Sequence, residues 1–126
     1  MTLSSAQVVT FIITADKVAS AAFYRDVLGL PFIVDDGFAD VFDMAGATLR
    51  ITHVEGFVAG PHPVLGWSVT DIVSSVRELA GKGVAFTIYE GMGQDADGIW
   101  TAPDGSARVA FFNDPDGNVL SLTQAG

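Results

Sequence analysis

The chain contains no cysteine, and this absence removes a whole group of chemistries. A disulfide framework, a thiol nucleophile and a thiolate zinc site are all excluded. Basic residues are also scarce, since six Lys and Arg stand against fifteen Asp and Glu and leave a net charge of −9. Such a charge repels phosphate groups, so we expect neither nucleic acid nor a membrane surface as a partner.

Long hydrophobic runs are missing as well. No run approaches the roughly eighteen apolar residues of a membrane span, and residues 1–7 lack the basic and apolar regions of a secretory signal. We therefore expect a cytoplasmic protein. With 126 residues, 49% of them hydrophobic, the chain can bury one core, and we expect residues 1–126 to form a single domain.

What the sequence does contain is an internal repeat. In both halves an apolar, β-branched run leads to an aspartate, Asp16 or Asp71, and a helix-like run follows. The segment that begins at Gly46 also matches the segment that begins at Gly117 without a gap. A repeated unit of this kind cannot bury its apolar face alone, so the repeat predicts two modules that enclose a cleft.

The patterns within each half indicate the same order of elements. In the first half we predict a strand at residues 8–14 with both faces covered, a helix at 17–28 that ends at Gly29, and strands at 31–34, 39–44 and 47–53. In the second half we predict strands at 64–69, 85–89, 108–112 and 119–123, and a helix that begins after Asp71. The predicted fold class is α+β, with two βαβββ modules in tandem, at about 7–54 and 63–124, forming curled mixed sheets around the cleft.

The paired modules, the helix sequence FYRDVLGLPF and the closing sequence FFNDPDGNVLSL resemble the vicinal oxygen chelate superfamily. This superfamily includes glyoxalases, bleomycin resistance proteins and extradiol dioxygenases. The resemblance implies a small-molecule protein that forms a homodimer. It also implies a divalent metal in the glyoxalase-like members, held by one side chain from the first and one from the last strand of each module, typically His, Glu, His and Glu.

Carried over to this sequence, the four ligand positions of the family fall on Val9, Arg50, Val64 and Ser121. Valine has no lone pair, arginine is a permanent cation and a neutral serine is a poor ligand for these metals. We therefore expect no metal cofactor at these positions. A second set, His53, Glu55 and His62, could in principle hold zinc, although we interpret it as a strand end and a solvated linker.

Strand alternation, together with the family register, predicts which residues line the cleft. The polar and aromatic candidates for ligand binding are Arg50, Ser121, Phe11, Thr48, Thr52 and Ser68. Apolar walls with few polar groups are typical of a small-molecule pocket. Gly66 would leave room for a ligand, whereas Trp67 would face the core. Arg50 offers a planar fork for a carboxylate or carbonyl group, and a salt bridge to a neighbouring acid is an equally good hypothesis.

Residues 90–105 form the longest irregular segment and contain Trp100. Placed over the cleft they would act as a lid, with Trp100 contacting the ligand; the alternative is a solvated loop whose Trp100 fills the core. Glu90 and Asp40 could act as general bases only if the fold turns them inward.

These observations favour a metal-free protein that binds a small organic molecule, such as an antibiotic or an aromatic metabolite. The alternative is a lyase, isomerase or dioxygenase-like enzyme that uses unfamiliar metal ligands or metal-free acid/base catalysis. A third hypothesis is a cleft that serves only as a surface for protein interaction.

Overall fold

The computed structural model describes residues 2–126, which divide into two compact units, 2–58 and 59–126. Each unit consists of a four-stranded mixed sheet and one principal helix. The α+β class and the tandem of two similar modules are therefore confirmed. Among the described residues, no helix is long and apolar enough to cross a membrane.

The first unit follows the predicted βαβββ order. Its elements are β1 (Val9–Thr14), α1 (Lys17–Ala22), which continues as a π-helical segment (Phe23–Val27), β2 (Phe32–Asp35), β3 (Asp40–Met44) and β4 (Ala47–His53). A short 3₁₀ turn, Leu3–Ser5, precedes them. The strands of sheet 1 lie in the order β1-β4-β3-β2, and only the β1–β4 pair is parallel.

The second unit repeats this topology with one departure. Its elements are β5 (Pro63–Ser68), α2 (Ile72–Gly81), β6 (Trp100–Thr101), β7 (Ala107–Asn113) and β8 (Val119–Ala125), and sheet 2 has the order β5-β8-β7-β6. The strand predicted at residues 85–89 is wrong, because that segment keeps a single bridge from Phe86 to Phe112. The edge position belongs instead to the two residues of β6.

Side-chain hydrogen bonds explain why residues 88–99 leave the ladder. The Gln94 amide donates to the carbonyl oxygens of Thr87 and Gly98, and its oxygen accepts from the Tyr89 amide. Asp95 Oδ1 accepts from the backbone N–H groups of Asp97 and Ile99. Since these side chains satisfy the backbone groups that a strand would use, the segment closes into an ordered loop.

The two helices begin in the same way, which reproduces the sequence repeat in atomic detail. Asp16 Oδ1 accepts from the N–H of Ala19, and Asp71 Oδ1 accepts from the N–H of Ser74, both at 3.1 Å. Each aspartate satisfies a backbone donor that the helix leaves unpaired. The caps therefore position equivalent helices after equivalent strands.

Only one face of sheet 1 is covered. Tyr24, from the π-helical segment, is fully buried and packs near Phe42 of β3, with the ring centroids 6.3 Å apart. The buried side chains on this helix-covered face are those of alternate residues, namely Ile12, Thr14, Phe42, Leu49 and Ile51. The prediction that β1 is covered on both faces is wrong, because Val9 and Phe11 point away from the helix and are exposed.

The core of the second unit forms in the same manner against α2. Ile72 and Val76 of the helix are buried, as are Ala110, Phe112, Leu120 and Leu122 of the sheet. Trp67 lies on this helix-covered side, where its ring stacks on that of Phe112 at 6.4 Å. The expectation that Trp67 belongs to the core side is therefore confirmed.

Candidate functional site

The face of sheet 1 that points away from α1 carries apolar and polar side chains that are exposed or half-buried, and we call it open face 1. In the register, Arg50 of β4 lies between Phe11 of β1 and Val41 of β3. Phe11 is 61% exposed, an unusual value for a phenylalanine in a strand. The residues of open face 1 are Val9, Phe11, Ile13, Val34, Val41, Asp43, Thr48, Arg50 and Thr52.

The sequence predicts that Phe11, Thr48, Arg50 and Thr52 share one face of sheet 1, and the structure places them so. A partly apolar surface with an arginine in its central strand and hydroxyls on either side of it along that strand can hold an organic molecule and orient one polar group. Whether they contact a ligand stays a prediction.

Arg50 has a partner within the protein. Its Nη2 atom lies 2.9 Å from Asp36 Oδ2, and the two side chains are 28% and 32% exposed. Asp36 follows β2 directly. The salt-bridge hypothesis is therefore met, but it does not exclude the ligand hypothesis, because one contact engages only one of the three guanidinium nitrogens.

Asp36 is itself fixed by the turn that connects β2 and β3. Its Oδ1 atom accepts from the backbone N–H groups of Phe38 and Ala39, each at 2.9 Å. These two backbone hydrogen bonds, followed by the Arg50 guanidinium, lower the pKa of Asp36 below its usual value. The carboxylate therefore stays ionised at neutral pH and holds Arg50 from a rigid position.

A second ion pair lies on the opposite, helix-covered face. Lys17, the first residue of α1, bonds to Asp35 and lies 3.7 Å from Asp40. Asp40 is only 3% exposed, and burial raises its pKa. The hypothesis that Asp40 could act as a base on the ligand side is wrong, because strand alternation places its carboxyl on the helix-covered face.

Sheet 2 has an equivalent exposed side, which we call open face 2. The register sets Gly66 beside Ser121, Ser68 beside Thr123, and Trp100 beside Val109. The residues of open face 2 are Gly66, Ser68, Trp100, Val109, Phe111, Ser121 and Thr123. Ser68, Ser121 and Trp100 were predicted from the sequence to bind ligand, and they share this face.

Two aromatic residues of this region were missed in the sequence. Phe111 lies beside Ser121 in the register, and the Tyr89 ring packs edge-on against the Phe111 ring at a centroid distance of 5.6 Å. Alternation from Ser121 across the β7–β8 hairpin could have found Phe111. Tyr89 lies in the loop that replaces the predicted strand, so no periodic signal pointed to it.

The space that the missing side chain of Gly66 leaves is next to the Ser121 side chain. A Cβ atom at position 66 would lie 3.2 Å from the Ser121 backbone oxygen and still closer to its Oγ. The glycine therefore lets the Ser121 side chain lie over β5.

The residues at the four family ligand positions do not fit a metal. Val9 and Arg50 lie on open face 1, and Arg50 already neutralises a carboxylate. Val64 lies at an irregularity of the β5–β8 register, and Ser121 offers one neutral hydroxyl. Two valines, one arginine and one serine provide no anionic or imidazole ligand for a divalent ion.

Elsewhere in residues 2–126, no group of three or more His, Asp or Glu side chains is close enough together to hold a metal ion. His53, Glu55 and His62 therefore do not form a ready metal site in this conformation. Glu90 is exposed in the loop that follows Tyr89.

Comparisons with known proteins agree with this architecture. The model of the Glyoxalase/Bleomycin resistance protein/Dioxygenase superfamily matches residues 6–122. No curated protein sequence matches the chain significantly.

Among solved structures, a superfamily member from Sphaerobacter thermophilus DSM 20745 is 21% identical with a TM-score of 0.74, over 95% of this chain and 97% of that one. Lactoylglutathione lyase from Agrobacterium tumefaciens is 18% identical with a TM-score of 0.71, over 95% and 93%. The fosfomycin resistance protein FosX from Listeria monocytogenes is 14% identical with a TM-score of 0.74, over 97% and 94%. At these identities the likeness establishes the fold alone.

Proposed function

The chain belongs to the Glyoxalase/Bleomycin resistance protein/Dioxygenase superfamily, and on this premise we propose that it binds a small organic molecule without a metal ion. The proposed site is open face 1. The ligand would lay a flat apolar part on Phe11 and Val9 and direct a carbonyl or anionic oxygen to Arg50. An antibiotic or an aromatic metabolite has this chemistry.

The observation that carries the proposal is the position of Arg50. Arg50 lies between Phe11 and Val41 in the register of the sheet, and its guanidinium is fixed by a contact with Asp36. A pre-positioned donor on an apolar surface costs a ligand little reorganisation, and hydrogen bonds to charged groups contribute about 1.5–3 kcal/mol. In the glyoxalase-like pattern a metal would attract a ligand oxygen, whereas here we propose that the N–H donors of Arg50 do so.

Open face 2 supports binding through a different chemistry. Ser68 and Ser121 offer hydroxyls, and Trp100 and Phe111 offer aromatic surface without a cation on that face. We propose that these groups contact apolar or hydroxyl-bearing parts of a ligand. Stacking on aromatic side chains contributes about 0.5–1.5 kcal/mol beyond the area buried.

Three further proposals concern organisation. Proteins of this superfamily bind small molecules and often form dimers, which supports a homodimer here. The superfamily model spans both units, which supports one functional domain over residues 1–126. The acidic composition supports the absence of nucleic acid and membrane partners, and a cytoplasmic location is typical of the superfamily.

We place the enzymatic alternative, a lyase, isomerase or dioxygenase-like activity, second. Asp36, the partner of Arg50, is occupied by Arg50 and by two backbone N–H groups. A general base needs a free lone pair within reach of the substrate. Asp36 therefore suits binding better than proton transfer, and an enzymatic function would have to use Asp43 of open face 1.

The proposal is tested with two flat probes of nearly equal shape, 2-naphthamide and 2-naphthoate. We expect at least one of them to raise the melting temperature in EDTA, because a ligand present at a hundredfold excess over its Kd stabilises the native state by about 2.7 kcal/mol. Differential scanning fluorimetry measures the shift, and calorimetry gives the affinity. A response to neither probe, or one that needs added Zn²⁺ or Mn²⁺, would contradict the proposal.

A further inference from the structure

We infer that Asp36 determines the charge of the ligand: by neutralising Arg50 it selects a neutral carbonyl or amide group over a carboxylate. This inference rests on the proposed function, because it describes which ligands open face 1 accepts. It assigns Asp36 a role in specificity rather than in the chemistry of a reaction.

The two carboxylate oxygens of Asp36 have different partners. Oδ1 accepts from the backbone N–H groups of Phe38 and Ala39, and Oδ2 lies 2.9 Å from Arg50 Nη2. Both oxygens are therefore held in place by the protein. The negative charge next to Arg50 is a fixed part of the site and cannot rotate away when a ligand approaches.

Arg50 retains donor capacity beside Asp36. A guanidinium carries five N–H groups, and the contact with Asp36 engages one nitrogen. The side chain is 28% exposed, so a ligand oxygen can reach the remaining donors. Arg50 can thus donate hydrogen bonds to a ligand while its charge is already balanced.

The charges around Arg50 also matter for the choice of ligand. Asp43 of β3 lies on the same face, beside Thr48 and two residues along the strand from Val41, which is the register partner of Arg50. With Asp36 matched to Arg50, Asp43 leaves open face 1 slightly negative. A carboxylate ligand would meet repulsion from Asp36 and Asp43, whereas a neutral carbonyl would keep the hydrogen bonds without that cost.

The chain offers a matched control in the preceding residue. Asp35 Oδ1 accepts from the backbone N–H of Gly37 at 3.0 Å, and its Oδ2 bonds to Lys17. Asp35 therefore has the same two-sided arrangement as Asp36, but its cation lies on the helix-covered face. Asp35→Asn changes the net charge by the same amount without touching Arg50.

The experiment compares wild type, Asp36→Asn and Asp35→Asn by calorimetry with 2-naphthamide and 2-naphthoate at low salt. Asparagine keeps the oxygen that accepts from Phe38 and Ala39, so the turn is retained. We expect wild type to prefer the amide. In Asp36→Asn the affinity for the carboxylate should rise about tenfold, while the affinity for the amide stays within about twofold, since one unpaired cation now faces the ligand. Asp35→Asn should behave as wild type does.

Several results would overturn the inference. If wild type prefers the carboxylate, or if Asp36→Asn leaves both affinities unchanged, Asp36 does not select charge. If Asp36→Asn weakens both probes equally, Asp36 only orients Arg50. If Asp35→Asn raises the carboxylate affinity as much, the effect comes from net charge. If wild type binds neither probe, the proposed function fails first and the inference with it.

Discussion

We expect Arg50→Met to lower the affinity for 2-naphthamide by at least about tenfold and to leave the fold intact, because methionine keeps the length of the side chain but removes every donor. Its stability should change by no more than about 1 kcal/mol, since a partly exposed ion pair contributes little. Calorimetry measures the affinity, and circular dichroism with thermal melting measures the fold.

Arg77→Met is the control for this prediction. Arg77 also pairs with one aspartate, since its Nη2 lies 3.2 Å from Asp97 Oδ2, but it belongs to α2 in the second unit. We expect this variant to bind the probe as wild type does. An Arg50→Met protein that binds within about twofold of wild type would show that the guanidinium does not hold the ligand, because a lost charged hydrogen bond costs more than that.

Asp114→Ala should produce the largest loss of stability, about 3 kcal/mol, because several buried donors lose their acceptor at once. Asp114 Oδ1 accepts from the backbone N–H groups of Asp116 and Asn118, and Oδ2 accepts from the Asn118 side-chain amide at 2.8 Å. Both Asp114 and Asn118 are buried. This turn joins β7 to β8, so it sets the register that places Phe111 beside Ser121 on open face 2.

We expect the melting temperature of Asp114→Ala to fall by roughly 10 °C, measured by thermal circular dichroism. Asp104→Ala is the control, because Asp104 accepts in the same way from the Ser106 N–H but is exposed, and its loss should stay within about 1 kcal/mol. Asp114→Asn should recover part of the stability, since its oxygen still accepts from the backbone N–H groups but its NH2 cannot accept from the Asn118 amide. Equal losses from Asp114→Ala and Asp104→Ala would show that burial of the turn contributes nothing.

Much of the fold could be predicted because the decisive signals are local. Asp16 and Asp71 stand before apolar helical runs, and each caps its helix through the same atom. Strand alternation is equally local, which is why Thr48, Arg50 and Thr52 were placed together correctly. The sequence does not reveal that only one face of β1 is covered, because an apolar run is expected whether one face or both are buried.

The remaining features depend on contacts that sequence spacing does not encode. Fifteen acidic residues could have paired with Arg50, and only the turn after β2 brings Asp36 to it. The strand predicted at residues 85–89 failed because the Gln94 side chain competes for the backbone groups. Tyr89 reaches Phe111 only because of that loop. These parts of the site depend on contacts between specific side chains, which local propensity does not encode.

Ligand binding at Arg50 is tested most directly by an amide NMR titration of the ¹⁵N-labelled protein with 2-naphthamide in EDTA. We expect the first and largest shifts on Phe11, Val41 and the Arg50 side-chain Nε–H, since these residues are neighbours on open face 1. Shifts that leave these three groups unchanged, or that appear only after a divalent metal is added, would contradict the claim that Arg50 takes the place of the metal.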